Sequence, residues 1–164
     1  MIRYARLVTP LGTLLATAAG GALTGLYYEG RPHAPVIGID WVEDTAAAPI
    51  RECARQLREY FDGVRKTFDL PLTPDGSPFQ RRVWIEIAAI PYGETLTYTQ
   101  LAARAGAPGS ARAAGAATGR NPLSIIVPCH RVIGSDGSLT GYAGGVERKA
   151  KLLDIEHALI GTLV

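Results

Sequence analysis

Apolar and polar positions alternate only at the start of the chain. Residues 2–8 and 12–18 are β-compatible and partly alternating, Gly20-Gly21 marks a turn, and 22–28 (Ala-Leu-Thr-Gly-Leu-Tyr-Tyr) continues the pattern, which predicts a small antiparallel meander. Pro32, Pro35 and Gly38 then mark an irregular crossing. From Pro49 the period lengthens. Ile50, Cys53, Ala54, Leu57, Tyr60 and Phe61 share one helical face, while Arg51, Glu52, Arg55, Arg58 and Glu59 lie elsewhere. This predicts a helix to Phe61 with Cys53 turned to the core as an inert thiol. Phe68 and Leu70 suggest a closing strand.

Thr73-Pro74-Asp75-Gly76-Ser77-Pro78 is the strongest linker signal, so a boundary is expected there, with one domain over 1–77 and a second over 78–164. Beyond it the pattern is helical. Ser77 and Pro78 open a helix whose inner stripe is Phe79, Val83, Ile87 and Ile90, and Pro91-Tyr92-Gly93-Glu94 breaks it. Thr97 and Gln100 have capping-box spacing, so a short helix starts at Tyr98. After Ala107-Pro108-Gly109, Ser110 is expected to cap an alanine-rich helix from Ala111 to Thr118 that ends at Gly119. Two short helices about a Gly-containing turn match a helix-turn-helix. An apolar run from Leu123 to Val127 leads into Pro128-Cys129-His130-Arg131-Val132. A last helix is predicted from Val146 to about Leu159. It buries Ala150, Leu153 and His157 or Ile160 and places Glu156 near its inner edge, where a carboxylate needs a partner; taken singly, Glu147, Arg148 and Lys149 read as surface groups. The fold class is therefore α+β: a small N-terminal antiparallel sheet with helices, then a mainly helical domain containing a helix-turn-helix.

Composition adds little to this, and charge adds more. A chain of 164 residues, 47% apolar, has ample material for a core. No secretory signal and no long apolar run occurs, so the sequence reads as soluble and cytoplasmic, with no membrane contact. The two cysteines make no disulfide framework, and without C-x-x-C or H-x-x-x-H spacing no metal site is expected. Residues 1–77 carry 8 Lys/Arg and 9 Asp/Glu, whereas 78–164 carry 9 and 6. From Tyr98 to Arg131 there are four arginines (Arg104, Arg112, Arg120, Arg131) and no acid, a basic stretch of the kind that meets phosphates.

The Cys129 motif can carry nucleophilic chemistry. Pro128 stiffens the backbone before the thiol. Thiolate formation needs a base or a positive field, and His130 and Arg131 are adjacent. Neighbours in an extended segment face opposite ways, so His130 is expected to act on Cys129 through a water, with Glu156 orienting the imidazole. This relay also fits a hydrolase. The DNA-reading helix pair upstream favours instead attack on an alkyl group carried by a DNA base, giving a thioether that nothing here could hydrolyse. Tyr98 could then serve the departing base. The base must be flipped out of the duplex, and Arg112 is long enough to fill the gap.

These residues carry a resemblance. Pro91-Tyr92-Gly93-Glu94-Thr95, Arg120-Asn121-Pro122, Ile126 to Val132, Thr140-Gly141-Tyr142-Ala143-Gly144-Gly145, and Lys149 with Leu152, Leu153 and Glu156 resemble the O6-alkylguanine-DNA alkyltransferases (methylated-DNA–protein-cysteine methyltransferases). The likeness covers 78–164, and residues 1–77 look like that family's variable N-terminal domain. It implies single-turnover (suicide) repair, without a cofactor, of O6-alkylguanine and O4-alkylthymine in double-stranded DNA. Cys129 would accept the alkyl group, His130 would be the water-mediated base and Glu156 its partner. Asn121 would hold the cysteine segment, and Tyr98 would face the phosphate 3′ to the flipped base or the base itself. Arg112 would replace the base in the stack, with Ser110, Ala111, Thr118 and Arg120 also facing DNA. Val132, Tyr142, Ala143 and Pro128 would line the base pocket. Thr118 stands where relatives of this bacterial type often have Asn, and Ala143 where some have Ser. Some relatives bind zinc in the N-terminal domain, but those ligands are absent here. The protein is expected to be monomeric in solution, with protein–protein contacts arising on DNA. A sensor that transfers nothing, and a redox or hydrolytic cysteine protein, are the rival readings.

Overall fold

In the computed structural model, which describes residues 1–158, the alternating N-terminal segments pair as antiparallel strands β1 (Arg3–Thr9), β2 (Gly12–Ala19) and β3 (Ala22–Tyr28). The register runs from Arg3 opposite Ala18 to Thr9 opposite Gly12, and β2 pairs with β3 through an irregularity at Thr17/Ala18. Gly20 and Gly21 take positive φ in the tight turn between β2 and β3, which is why glycines stand there. Helix α1 (Ala48–Phe61) packs on this sheet and buries Ile50, Cys53, Leu57 and Tyr60. Cys53 is fully buried, and that burial pushes its thiol up to about 12.

Two details depart from the sequence pattern. Val42–Glu43 forms a two-residue strand β4 parallel to β1, giving the sheet order β3-β2-β1-β4. The closing strand expected at Phe68 and Leu70 does not form. The Gln56 side chain takes both backbone groups of Asp69, at 2.9 Å each. Only Leu72 makes an isolated bridge, parallel to Leu23. Pro71 and Pro74, which lack N–H donors, bracket it.

The chain divides into units Met1–Asp75 and Gly76–Val164. The second opens with α2 (Pro78–Ala88), whose capping box joins Ser77 and Gln80. Val83, Trp84 and Ile87 are its buried face, whereas Phe79 is only half-buried, with Arg82 over its ring. The Trp84 indole N–H donates to the Ala117 carbonyl at 2.8 Å, tying α2 to the later α4 (Ala111–Gly119). Gly76 leaves room for that indole, since a Cβ there would run into the Trp84 ring. A second capping box, Thr97 with Gln100, starts α3 (Tyr98–Arg104), which packs against α4 across glycine-bearing turns at Gly106 and Gly109. Ser110 precedes α4 but makes no side-chain cap.

Residues 121–132 are buried throughout. The apolar run at 123–127 is a compact turn, with Val127 N–H donating to Leu123 O at 2.9 Å. Ile125 is held at φ +72°, a strained setting for a β-branched residue that the surrounding burial must maintain. Strands β5 (Leu96–Thr97) and β6 (Val132–Ile133) pair in parallel, which joins the start of α3 to the end of the Cys129 motif. Helix α5 (Val146–Ile155) stops earlier than its apolar pattern suggests. His157 is exposed at φ +59°, a left-handed helix end, so it is not a core residue. Leu159 and Ile160 lie outside the described residues. Among the described residues no helix is long and apolar enough to cross a membrane.

Candidate active site

The thiol of Cys129 sits on a single 3₁₀ turn, Cys129–Arg131, not on an extended segment. It is 2% exposed. Its backbone N–H donates to Val127 O at 2.8 Å and Arg131 N–H to Pro128 O at 2.9 Å, so the motif is coiled back on itself. Asn121 fixes this coil. Its Nδ2 donates to Val127 O at 2.8 Å and lies 3.2 Å from Cys129 Sγ, while its Oδ1 accepts from Leu123 N–H at 3.0 Å. Burial pushes the Cys129 thiol up; the Asn121 amide and the positive charge of Lys149 pull the other way.

His130 and Glu156 are both fully buried at their side chains, with Nε2 2.7 Å from Oε2. Arg131 closes on the same carboxylate, its Nε donating to Oε1 at 2.8 Å and an Nη to Oε2 at 3.1 Å. Its other Nη donates to Ile90 O at 2.7 Å. Burial would raise the Glu156 carboxyl, but the hydrogen bonds from His130 and Arg131 outweigh it and bring the group down to about 2. Burial lowers the His130 imidazole and Glu156 opposes it. The neutral imidazole must therefore carry its proton on Nε2, facing an acceptor-only carboxylate, and present a bare lone pair at Nδ1. Nδ1 is buried and has no partner among the described residues. No hydrogen bond joins His130 to the Cys129 sulfur.

Around this centre stand the remaining residues named from the sequence. Val132 is fully buried, Pro128 is buried, Ala143 is half-buried, and the Tyr142 ring meets His130 edge-on with centroids 6.3 Å apart. The Tyr98 hydroxyl donates to Thr140 O at 3.1 Å and lies 3.4 Å from Gly141 O. Burial and then the nearby Cys129 push that phenol up to about 12.

On the helix pair, Arg104, Arg112 and Arg120 are exposed, and Ser110 and Ala111 are half-buried. Two expectations need correction. Thr118 is buried, 4% exposed, and its hydroxyl donates to Ala114 O at 2.7 Å, so it belongs to the packing of α4 and not to its outer face. Arg131 is buried on Glu156 and cannot belong to a phosphate-facing set; three arginines remain from the acid-free stretch.

Sequence reasoning missed two site residues. It paired Glu156 with His130 alone, although Arg131 shares the carboxylate. Lys149, which taken singly reads as a surface group, is fully buried. The signal was present: Lys149, Leu152, Leu153 and Glu156 follow i, i+3, i+4, i+7 spacing and share the inner face of α5.

The chain is similar to known proteins along nearly its whole length. A family model described as "6-O-methylguanine DNA methyltransferase, DNA binding domain" matches residues 78–158, and one described as "6-O-methylguanine DNA methyltransferase, ribonuclease-like domain" matches 2–74. A methylated-DNA–protein-cysteine methyltransferase of Methanosarcina barkeri is 45% identical, covering 94% of this chain and 96% of that protein. The constitutive enzyme of that name in Bacillus subtilis is 44% identical, covering 94% of each. The crystal structure of Mycobacterium tuberculosis OGT in complex with DNA superposes with a TM-score of 0.86 at 43% identity, covering 94% of this chain and 92% of that one. With matches spanning nearly its whole length, this chain belongs to the 6-O-methylguanine DNA methyltransferase family.

Proposed function

We propose that the protein repairs DNA by direct reversal, moving a methyl or larger alkyl group from O6 of guanine, and from O4 of thymine, to Cys129 Sγ, once per molecule. The observation that carries this reading is a thiol held by Asn121 beside a buried imidazole whose Nε2–H is committed to Glu156 and whose Nδ1 is unspent. In that arrangement Nδ1 receives the Cys129 proton through a bridging water. The S–C bond forms as the C–O6 bond breaks. The guanine anion that leaves takes up a proton, so the thiol's proton is in effect exchanged for the alkyl group and nothing else is consumed. The Tyr98 phenol, which stays protonated until about 12, can supply a hydrogen bond or that proton to the departing base.

Arg131 keeps Glu156 ionised, and this holds His130 in the tautomer that the relay needs. The exposed Arg112 on α4 serves to fill the stack when the damaged base is flipped, while Arg104 and Arg120, with Ser110 and Ala111 at the start of α4, face the backbone. Val132, Tyr142, Ala143 and Pro128 border the base. Two free cysteines suit the reducing cytoplasm. The partner is double-stranded DNA with an alkylated base, met by a monomer that can contact further copies once on DNA.

Incubation with duplex DNA containing O6-methylguanine, followed by intact and peptide mass spectrometry, tests this. One methyl should appear on the peptide carrying Cys129, with guanine restored and no second turnover. A DNA complex with no mass change would make the protein a sensor. Reversible oxidation of Cys129 without any need for DNA would make it a redox protein.

A further inference from the structure

Glu156 orients His130, and it is itself held by a turn that the relay does not use. Helix α5 ends at Ile155, and Glu156 is the residue that closes it. The last carbonyls of a helix have no partner within it. Here Leu153 O accepts from Ala158 N–H at 2.8 Å, Asp154 O from His157 N–H at 3.0 Å, and Ile155 O from the Tyr92 hydroxyl at 3.3 Å. Tyr92 thus ties down the peptide that leads directly into Glu156. The same side chain reaches the cation that shares the carboxylate. Arg131 Cζ lies over the Tyr92 ring, 5.7 Å from its centroid, while one Nη donates to Ile90 O at 2.7 Å. A Cβ at Gly93 would lie 3.5 Å from Glu156 O, so the turn also runs beside the Glu156 backbone.

The turn itself does not call for this side chain. Pro91 and Gly93, the latter at φ +83°, suffice to form it, and Glu94 N–H closes it on Pro91 O at 3.1 Å. Burial, and then the charge of Glu156, push the Tyr92 phenol up against the pull of Arg131, so its hydroxyl keeps a proton and remains a donor. We propose that Tyr92 is a positioning residue for alkyl transfer: its hydroxyl fixes the helix end that carries Glu156, its ring fixes Arg131, and together they keep the His130 proton on Nε2 and Nδ1 open. This rests on the reading that Nδ1 takes the Cys129 proton. Which nitrogen of a neutral imidazole carries the proton is set by the partner of the other, and here that partner is Glu156 Oε2 at 2.7 Å. A carboxylate that drifts from Nε2 lets the proton settle on Nδ1, and an imidazole protonated there cannot accept from the thiol through a water.

The test uses the full chain without DNA, labelled with ¹⁵N-histidine. The ring ¹⁵N signals of a neutral imidazole report which nitrogen carries the proton, and the exposed His33 and His157 serve as references for the buried His130. In the natural protein the proton should stand on Nε2. Tyr92→Leu removes both contacts. It should move a measurable share of the proton to Nδ1 and slow iodoacetamide modification of Cys129 near neutrality about tenfold. Tyr92→Phe keeps the ring, so the natural tautomer should be retained and the rate should fall only about threefold. A tautomer and rate unchanged in Tyr92→Leu would overturn the proposal, whatever stability is lost, because that is the behaviour of a side chain that merely packs. If Tyr92→Leu does not fold, Tyr92→Phe decides: exchange of the Nε2 proton with water should quicken about threefold as the helix end loosens, and an unchanged rate would overturn the proposal. A natural protein with its proton on Nδ1 would overturn the relay and this inference together, whereas a natural Nε2–H tautomer that survives Tyr92→Leu removes Tyr92 alone.

Discussion

His130 Nε2 and Glu156 Oε2 are 2.7 Å apart with both side chains closed off from solvent, and Arg131 holds the other side of the same carboxylate. This makes Glu156 a stability group as well as a site group. Its carboxyl ionises at about 2 in the fold, against an ordinary 4.5, so its contribution is fully present above 4.5 and is lost as pH falls toward 2. The size is roughly 3 kcal/mol. His130 acts in the same direction, because burial lowers its pKa and protonation of the imidazole below its ordinary range is resisted by the fold. Denaturant midpoints of the natural protein should therefore decline from about pH 6 downward. Glu156→Gln should lower stability at pH 7 by about 3 kcal/mol, since it leaves Arg131 buried without its anion. A flat profile in the natural protein, or an unchanged midpoint in the variant, would show that the triad is not the stabilising unit described.

Asn121 should be as sensitive for a different reason. Its amide satisfies Leu123 N–H and Val127 O and also touches Sγ. Asn121→Ala leaves buried backbone groups unmatched, at about 1–3 kcal/mol each. Asn121→Asp keeps the shape but places a carboxylate near the sulfur. Like charges resist one another, so the pH midpoint of Cys129 alkylation should rise by more than about one unit. Iodoacetamide trapping across pH reads this directly, and a midpoint that does not move would remove the Asn121 amide from control of the thiol.

The elements were legible where local chemistry decides them. Ser77/Gln80 and Thr97/Gln100 announce two helix starts in the sequence, and both boxes form. What escaped depends on distant partners. β4 is two residues long and exists because β1 has a free edge. Residues 68–70 have strand-like composition, but Gln56, thirteen residues away, claims Asp69. The Cys129 motif reads as extended in isolation, and the long reach of Asn121 turns it into a coil. Lys149 taken singly reads as a surface charge, although its spacing from Leu152, Leu153 and Glu156 already puts it inside. Pairings such as Arg131 with Glu156 cannot be read from spacing, since the two lie 25 positions apart in the chain with a loop between them.

Arg112 is exposed on α4, so Arg112→Ala should leave the melting temperature nearly unchanged, within about 0.5 kcal/mol of stability. If it fills the stack, the variant should react with O6-methylguanine in duplex DNA at least about tenfold more slowly, yet with a free O6-alkylguanine base at the natural rate. Equal losses on both substrates would end the stack-filling role. Removing Arg104, Arg112 or Arg120 singly should also reduce the slope of log affinity against log salt by about one for each residue that meets a phosphate.

Tyr98→Phe separates holding from chemistry. The substitution keeps the ring beside Lys149 and removes the donor to Thr140 O and Gly141 O. Thr140 O still accepts from Lys149, so the structural loss should be about 1 kcal/mol. If the phenol assists the departing guanine, transfer from duplex DNA should slow by about 10²-fold while duplex binding is retained. Because the phenol ionises only at about 12, the natural protein should show no break in its transfer rate from this group anywhere below pH 10. A loss smaller than about tenfold would leave Tyr98 as a loop contact only. In that case the proton for the leaving base must come from the His130 side of the site, which retains the proton taken from Cys129.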